Sequence, residues 1–221
     1  MSIRRIPLTN KEFYHVFNRG VDKRRIFMNQ NDIRRFFQSM SEFNTIDPIG
    51  SIFENSFRKA KLGGGASKSG ASKSERSNRK LVKIICFCLN PNHYHLILKQ
   101  ATSQGVEKFI HKLATGYTRY FNLKHQRSGV LFQGPFKAVH IKNNEQLLHT
   151  SVYVNLNFKI HQLGGGASKS SWDEYIGKTE YNFCQKEDII KQFKNRKDYE
   201  KYAMDTLPGI ISRKELLNEL E

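Results

Sequence analysis

The sequence predicts an α+β fold, on three observations. A strand–turn–strand run spans Leu81–Gln100. Two stretches, about 31–43 and 105–126, carry apolar residues at helical spacing. A third such stretch, from Asn143, follows a short alternating strand at Phe136–Ile141. At 221 residues the chain can bury a real core, in one domain or one and a half. Lys+Arg 37 against Asp+Glu 20 gives a formal net charge of +17, which suits a polyanionic partner or serves solubility alone. There is no run of 18 apolar residues to span a membrane, and MSIRRIPLTNKEFYH has no apolar core of a signal peptide. The three cysteines, Cys86, Cys88 and Cys184, form no disulfide framework and fit a reducing cytoplasm. Cys86 and Cys88 are expected as small core residues.

Taken in order, Phe13–Arg19 (FYHVFNR) reads as the first strand, ended by Gly20. Arg19, at its end, suits a phosphate contact and equally suits plain solvation. Asn31 or Asp32 is placed to cap a helix running to about Phe43, with Ile33, Phe36, Phe37 and Met40 as its core stripe. Ile46–Phe57 is a weakly patterned connection. LGGGASKS then occurs twice, at Leu62–Ser69 and Leu163–Ser170, with a shorter GASKS at Gly70–Ser74. Such segments cannot bury enough apolar surface to order themselves. They lack the full spacing of a phosphate-binding loop, and no strand leads into them. Both are expected to be flexible, as an insertion at about 62–80 and a linker at 162–171.

The central hairpin comes next. Leu81–Leu89 reads as a buried strand, Asn90-Pro91-Asn92 as a turn, and Tyr94–Leu98 as a second strand that opens with His93-Tyr94-His95. Side chains alternate along a strand, so His93 and His95 share one face and Tyr94 takes the other. Two imidazoles on one strand face make half of a divalent-metal site, although a bare H-x-H also occurs among ordinary histidines. Gly105–Gln126 is a long helix whose stripe is Val106, Phe109, Ile110, Leu113, Tyr117 and Phe121. Lys108, His111, Lys112, Arg119 and Lys124 lie off that stripe, on a basic face open to nucleic acid or simply to water. Gly129–Gly134 (GVLFQG) is expected to be a turn-rich loop with exposed aromatic potential, and Phe136–Ile141 a strand. Asn143 or Asn144 caps the next helix, with Gln146 placed for a capping box. His149, Tyr153 and Asn157 are four apart and share a helix face, beside the apolar row Leu148, Val152 and Leu156. From Ser171 the chain reads as a polar extension. Short helices are expected at Lys186–Phe193 and Lys197–Met204, Pro208-Gly209 is a break, and Ser212 caps a last helix.

Together, NPNHYHL, RSGVLFQGPFKAVHI and the YVNLN helix resemble the HUH-type, single-tyrosine transposases, in the REP-associated tyrosine transposase-like (IS200-like) branch. The resemblance covers about Phe13–His161. It implies a ferredoxin-like β-α-β-β-α-β core with an antiparallel sheet, within an endonuclease domain at 1–161 followed by a helical C-terminal extension at 172–221. It also implies that Tyr153 is the nucleophile and that His93, His95 and Asn157 hold a metal. Where the family often has Asn-Pro, this chain has Asn157-Phe158, which loses a helix stop and keeps the ligand. The implied activity is a metal-dependent single-stranded DNA transposase that nicks and rejoins through a covalent 5′-phosphotyrosine. Its cation would be Mg²⁺ (Mn²⁺ as substitute), and its partner single-stranded DNA with hairpin ends, at no membrane. The protein would work as a monomer or homodimer in the nucleoid-associated cytoplasm. Candidate phosphate contacts are Arg19, Lys137, Lys108, Lys112 and Arg119. Three alternatives stand beside this, a non-catalytic domesticated DNA- or RNA-binding protein, a replication-initiator-type nickase, and a metallohydrolase that uses water as nucleophile and would survive Tyr153→Phe. The intact set His93, His95, Tyr153 and Asn157 favours the transposase, because a pure binder has no need of it.

Overall fold

A computed structural model describes residues 8–47, 49–54, 79–162 and 168–219. The expected insertion therefore lies outside the described residues as far as 78, as does 163–167 of the second repeat. The elements are β1 (Phe13–Arg19), α1 (Gln30–Glu42), β2 (Val82–Asn90), β3 (His93–Gln100), α2 (Gly105–Lys124), β4 (Lys137–Ile141), α3 (Asn144–Asn155), α4 (Asn157–Ile160), β5 (Lys169–Ser170), α5 (Trp172–Ile176), α6 (Glu187–Ile190) and α7 (Arg196–Glu219). The sheet order is β4-β1-β3-β2-β5, and every pairing is antiparallel. The first six elements thus build the expected ferredoxin-like core, with β5 added beside β2.

Alternation along β1 and β3 divides the sheet into two faces. Tyr14 and Val16 lie on the same side as Tyr94, Leu96 and Leu98, since Val16 pairs with Leu96 and Tyr14 with Leu98. Helices α1 and α2 cover this side. Phe36 of α1 packs against Tyr94 and Tyr117, with ring centroids 5.3 and 4.9 Å apart. Every residue of the stripe expected on α2 is buried. The other side carries His15, Phe17, Arg19, His93 and His95, and α3 packs there. The ferredoxin-like helices therefore leave one sheet face free for the site.

The structure corrects several boundaries. The cap of α1 is Asn29, whose side chain accepts from Asn31 and Asp32 N–H; Asp32 completes the box. Asp32 is fully buried and accepts from the Lys124 ammonium at 2.6 Å, which ties the start of α1 to the end of α2. Asn143 caps α3 as expected, but Gln146 accepts from the Lys142 N–H, so the capping box is not closed. The aromatic of the GVLFQG loop is not exposed. Phe132 is buried edge-on against Tyr94, 5.8 Å between ring centroids, where its bridge to Gly20 holds it.

The C-terminal stretch departs furthest from expectation. Lys169–Ser170, expected inside a linker, is the strand β5. Beside it the Ser171 hydroxyl accepts from Phe87 N–H at 2.9 Å and donates to Asn155 Oδ1 at 2.6 Å. Trp172 and Tyr175 are buried rather than part of a polar tail. The helix expected over Lys186–Phe193 is only the turn α6. From Arg196 a single helix runs through Pro208 to Glu219. Proline removes one helical hydrogen bond. Here Tyr199, Ala203, Leu207 and Ile210 form a buried stripe that packs against the core and carries the helix past it. Among the described residues no helix is long and apolar enough to cross a membrane.

Candidate active site

Strand register assembles the site. Across the free face, Lys137 of β4 stands opposite Phe17 of β1, Phe17 opposite His95 of β3, and His95 opposite Cys88 of β2. One row on, Arg19 stands opposite His93 and His93 opposite Asn90. The two histidines are thus on one face, as alternation predicts. The rings lie 5.2 Å apart, centroid to centroid, and nearly perpendicular.

Helix α3 brings Tyr153 over this face, its ring edge-on to His95 at 5.4 Å between centroids. Asn157 does not continue the same helix. Leu156 leaves helical geometry at φ −107° and ψ 14°, so Asn157 opens α4. It still reaches the site. Asn157 Oδ1 lies 3.0 Å from His93 Nε2 and accepts from Asn90 Nδ2 at 2.6 Å. His149 does not line the cleft.

Three groups unforeseen in the sequence complete the cluster. Asn90 Nδ2 also lies 2.8 Å from His93 Nε2. His15 places its Nε2 2.9 Å from His95 Nδ1. His161 packs its ring 4.8 Å from that of His93, held by Lys214 of α7, which donates to His161 Nδ1 at 3.1 Å and to the Ile160 carbonyl at 3.0 Å. His15 was legible from the alternation of FYHVFNR, which puts it on the face of Phe17 and Arg19. Lys214 was not, because only tertiary packing brings residue 214 beside residue 161.

Burial governs the electrostatics. It pushes His15 down to about 4, and His161 likewise to about 4 with help from His93 and Lys214. It also holds His93 below the ordinary imidazole range, and His95 well below it, where the neighbouring imidazoles add to the effect. All four rings are therefore neutral at pH 7, each with a single nitrogen lone pair. The Tyr153 phenol is raised by burial, with Asn157 pulling the other way and Cys88 adding to the rise.

The donor set fits a small divalent cation. His93 Nδ1 donates to Asn92 Oδ1 at 2.6 Å, so Nε2 keeps its lone pair and faces the Asn157 oxygen. That 3.0 Å spacing equals the separation of about 3 Å between adjacent ligands of an octahedral cation with bonds of about 2.1 Å. The His95 Nδ1 lies 2.9 Å from His15 Nε2, so Nε2 is the His95 nitrogen that remains for a cation if Nδ1 carries the proton. Among the described residues Asn157 Nδ2 is buried with no partner in good hydrogen-bond geometry, although it is near enough to the Tyr153 phenol to favour its ionised form. Among the described residues no group of three or more His, Cys, Asp or Glu side chains is arranged to hold a metal, so a cation here depends on the amide.

Around the cluster opens a cleft of about 920 Å³, lined also by Arg19, Lys23, Gln133, Lys137 and Lys214. Of the expected phosphate contacts, Arg19 and Lys137 are at the site. Lys108, Lys112 and Arg119 lie on α2, which covers the other sheet face, and Lys112 is engaged with the Thr45 carbonyl at 2.7 Å.

The chain is similar to known proteins in sequence pattern and in fold. Residues 65–157 match the family described as "Transposase IS200 like". No curated protein matches the chain by sequence. Among solved structures, that of a REP-associated tyrosine transposase bound to a REP hairpin superposes with a TM-score of 0.53 at 13% identity, covering 83% of this chain and 90% of that one. By sequence pattern over residues 65–157, and by the fold it shares with that tyrosine transposase, this chain resembles the IS200-like transposases.

Proposed function

We propose that this protein is a cation-dependent transposase that nicks and rejoins single-stranded DNA through Tyr153. One observation carries the reading most: a phenol from α3 stands over the two imidazoles of β3 and their amide neighbour, at the floor of a cleft rimmed by cations. A water-activating hydrolase needs no tyrosine there, and a passive DNA binder needs none of the set.

In the proposed step, Tyr153 Oη attacks a backbone phosphorus. The bond to the 3′ oxygen breaks, that oxygen leaves as a hydroxyl, and the 5′ phosphate stays esterified to the tyrosine. The bond energy is kept, so a later 3′ hydroxyl can reverse the step and join a new strand. Tyr153 is a neutral phenol in the free protein and must lose its proton as it attacks. His93, His95 and Asn157 would hold Mg²⁺, or Mn²⁺ in its place, which supplies charge stabilisation at the phosphate oxygens. Arg19, Lys137 and Lys23 are positioned to hold the flanking backbone, and Phe17 offers a half-buried aromatic surface beside them. Access to a phosphorus between a sheet and a helix favours unpaired DNA, and the hairpin-bound structural relative is in keeping with hairpin ends.

The test is incubation with labelled single-stranded DNA carrying a hairpin, in Mn²⁺, followed by denaturing electrophoresis. A covalent protein–DNA adduct is expected, absent in Tyr153→Phe and strongly reduced in His95→Ala. An adduct that survives Tyr153→Phe would move the nucleophile elsewhere.

A further inference from the structure

The two imidazoles proposed as ligands, His93 and His95, each need their proton on the ring nitrogen turned away from the cation, and the structure holds a contact for each. For His93 the polarity is fixed. Its Nδ1 meets Asn92 Oδ1, which can only accept, and the Asn92 amide nitrogen is spent on the Lys23 carbonyl at 3.2 Å. For His95 the corresponding atom meets another imidazole. His15 Nε2 lies 2.9 Å from His95 Nδ1, and the rings are stacked at 5.1 Å with 22° between planes. His15 also stands edge-on to Tyr153, 5.7 Å between centroids, so it touches both the ligand ring and the nucleophile's ring. Strand register makes the contact possible: Phe17 is directly opposite His95, and His15, opposite Ile97, is the next residue along on the same face.

We infer that His15 is a positioning residue, whose Nε2 accepts the His95 Nδ1 proton and thereby turns the His95 Nε2 lone pair to the cation. Outer partners of this kind fix the tautomer and orientation of ligating histidines and typically carry 10- to 100-fold in metal affinity. Carboxylates and carbonyls usually fill the place, and here a neutral imidazole does. The same contact excludes His15 from binding the cation through that nitrogen. The inference rests on the cation-dependent reading above.

The full chain, labelled with ¹⁵N-histidine, is examined by NMR without metal and then titrated with Mn²⁺. Wild type is compared with His15→Gln, His15→Phe and His95→Ala. Glutamine keeps an acceptor; phenylalanine fills the space beside Phe17 without one. The expected metal-free spectrum shows His95 protonated on Nδ1 in wild type and His15→Gln, and on Nε2 in His15→Phe. Mn²⁺ affinity is expected to fall about 10- to 100-fold in His15→Phe and to return to within about threefold in His15→Gln. Wild-type His95 protonated on Nε2 overturns the assignment even if a variant fails to fold. So does unchanged affinity in His15→Phe, or an equal loss in both His15 variants, which would make His15 itself a ligand. Wild type binding Mn²⁺ no better than His95→Ala overturns the cation reading instead, and the tautomer spectrum separates the two failures.

Discussion

Asn90 shows how much one side chain decides here. Without a cation, its amide nitrogen reaches both Asn157 Oδ1 and His93 Nε2 and keeps the pair in register; a bound cation would take the single Nε2 lone pair, and the hold on Asn157 Oδ1 would remain. Asn90→Ala is expected to leave the protein folded at 25 °C and to lower adduct yield about 10- to 100-fold, read on the same electrophoretic assay. Asp32 decides a different matter. Burial alone would raise its carboxyl, but Lys124, the Met28 N–H and His125 together hold it below its ordinary 3.8. A carboxyl depressed in the folded state contributes stability that is complete above the unfolded value and is lost as pH falls through the folded one. Acid unfolding followed by circular dichroism should therefore show a loss of stability below pH 3.8 that is weaker in Asp32→Asn. At pH 7 that variant should cost roughly 3 kcal/mol, because it leaves the partners of a buried charge uncompensated.

Among the elements, α2 depends on what it cannot carry. Gly116 sits in mid-helix, where alanine is ordinarily favoured by about 1 kcal/mol. A Cβ there would lie 2.5 Å from a ring carbon of Phe43, which is buried, so the ring has to shift within packed surroundings. Overpacking of this kind costs about 1–3 kcal/mol, so the sign reverses. Gly116→Ala should lower Tm by a few degrees in a thermal melt, where helix propensity alone would raise it. Helix α3 is the element on which the site turns. It ends at Asn155, and the break at Leu156 lets Asn157 turn into the site while Tyr153 stays over the rings. Spacing in the sequence put both residues on one face but could not show the break, which local backbone geometry sets.

At the level of the whole molecule, the C-terminal part is a structural member of the core. Tyr199 is fully buried, and its hydroxyl is shared between Ser151 at 3.1 Å and the Asn155 amide, which donates to it at 2.9 Å. Both partners lie on α3, the helix that bears Tyr153. Lys214 reaches the cleft from the same long helix. Deleting residues 196–221 is therefore expected to abolish the cooperative melt and the near-ultraviolet dichroism of the packed aromatics, as well as adduct formation. A truncated chain that melts sharply near the wild-type temperature would show α7 to be dispensable.

The sequence by itself determined the four strands β1 to β4, their faces and the residues on them, but not β5. Period-two alternation in FYHVFNR and HYHLILKQ leaves no freedom about which side chains share a side, and the buried stripe of α2 follows as directly from its 3- and 4-residue spacing. Local pattern put His93 and His95 on one strand face and Tyr153 and Asn157 on one helix face; that the two faces share a site was implied only by the resemblance to the family. Only the tertiary structure decided what surrounds them. His15 and His95 are 80 residues apart, His161 and Lys214 53 apart, and Asn90 and Asn157 67 apart. Such contacts are fixed by strand order and helix docking, which no local period encodes. For the same reason the sequence alone points to a break at Pro208: a backbone penalty is visible in the sequence, and the buried stripe that outweighs it appears only once the chain is folded.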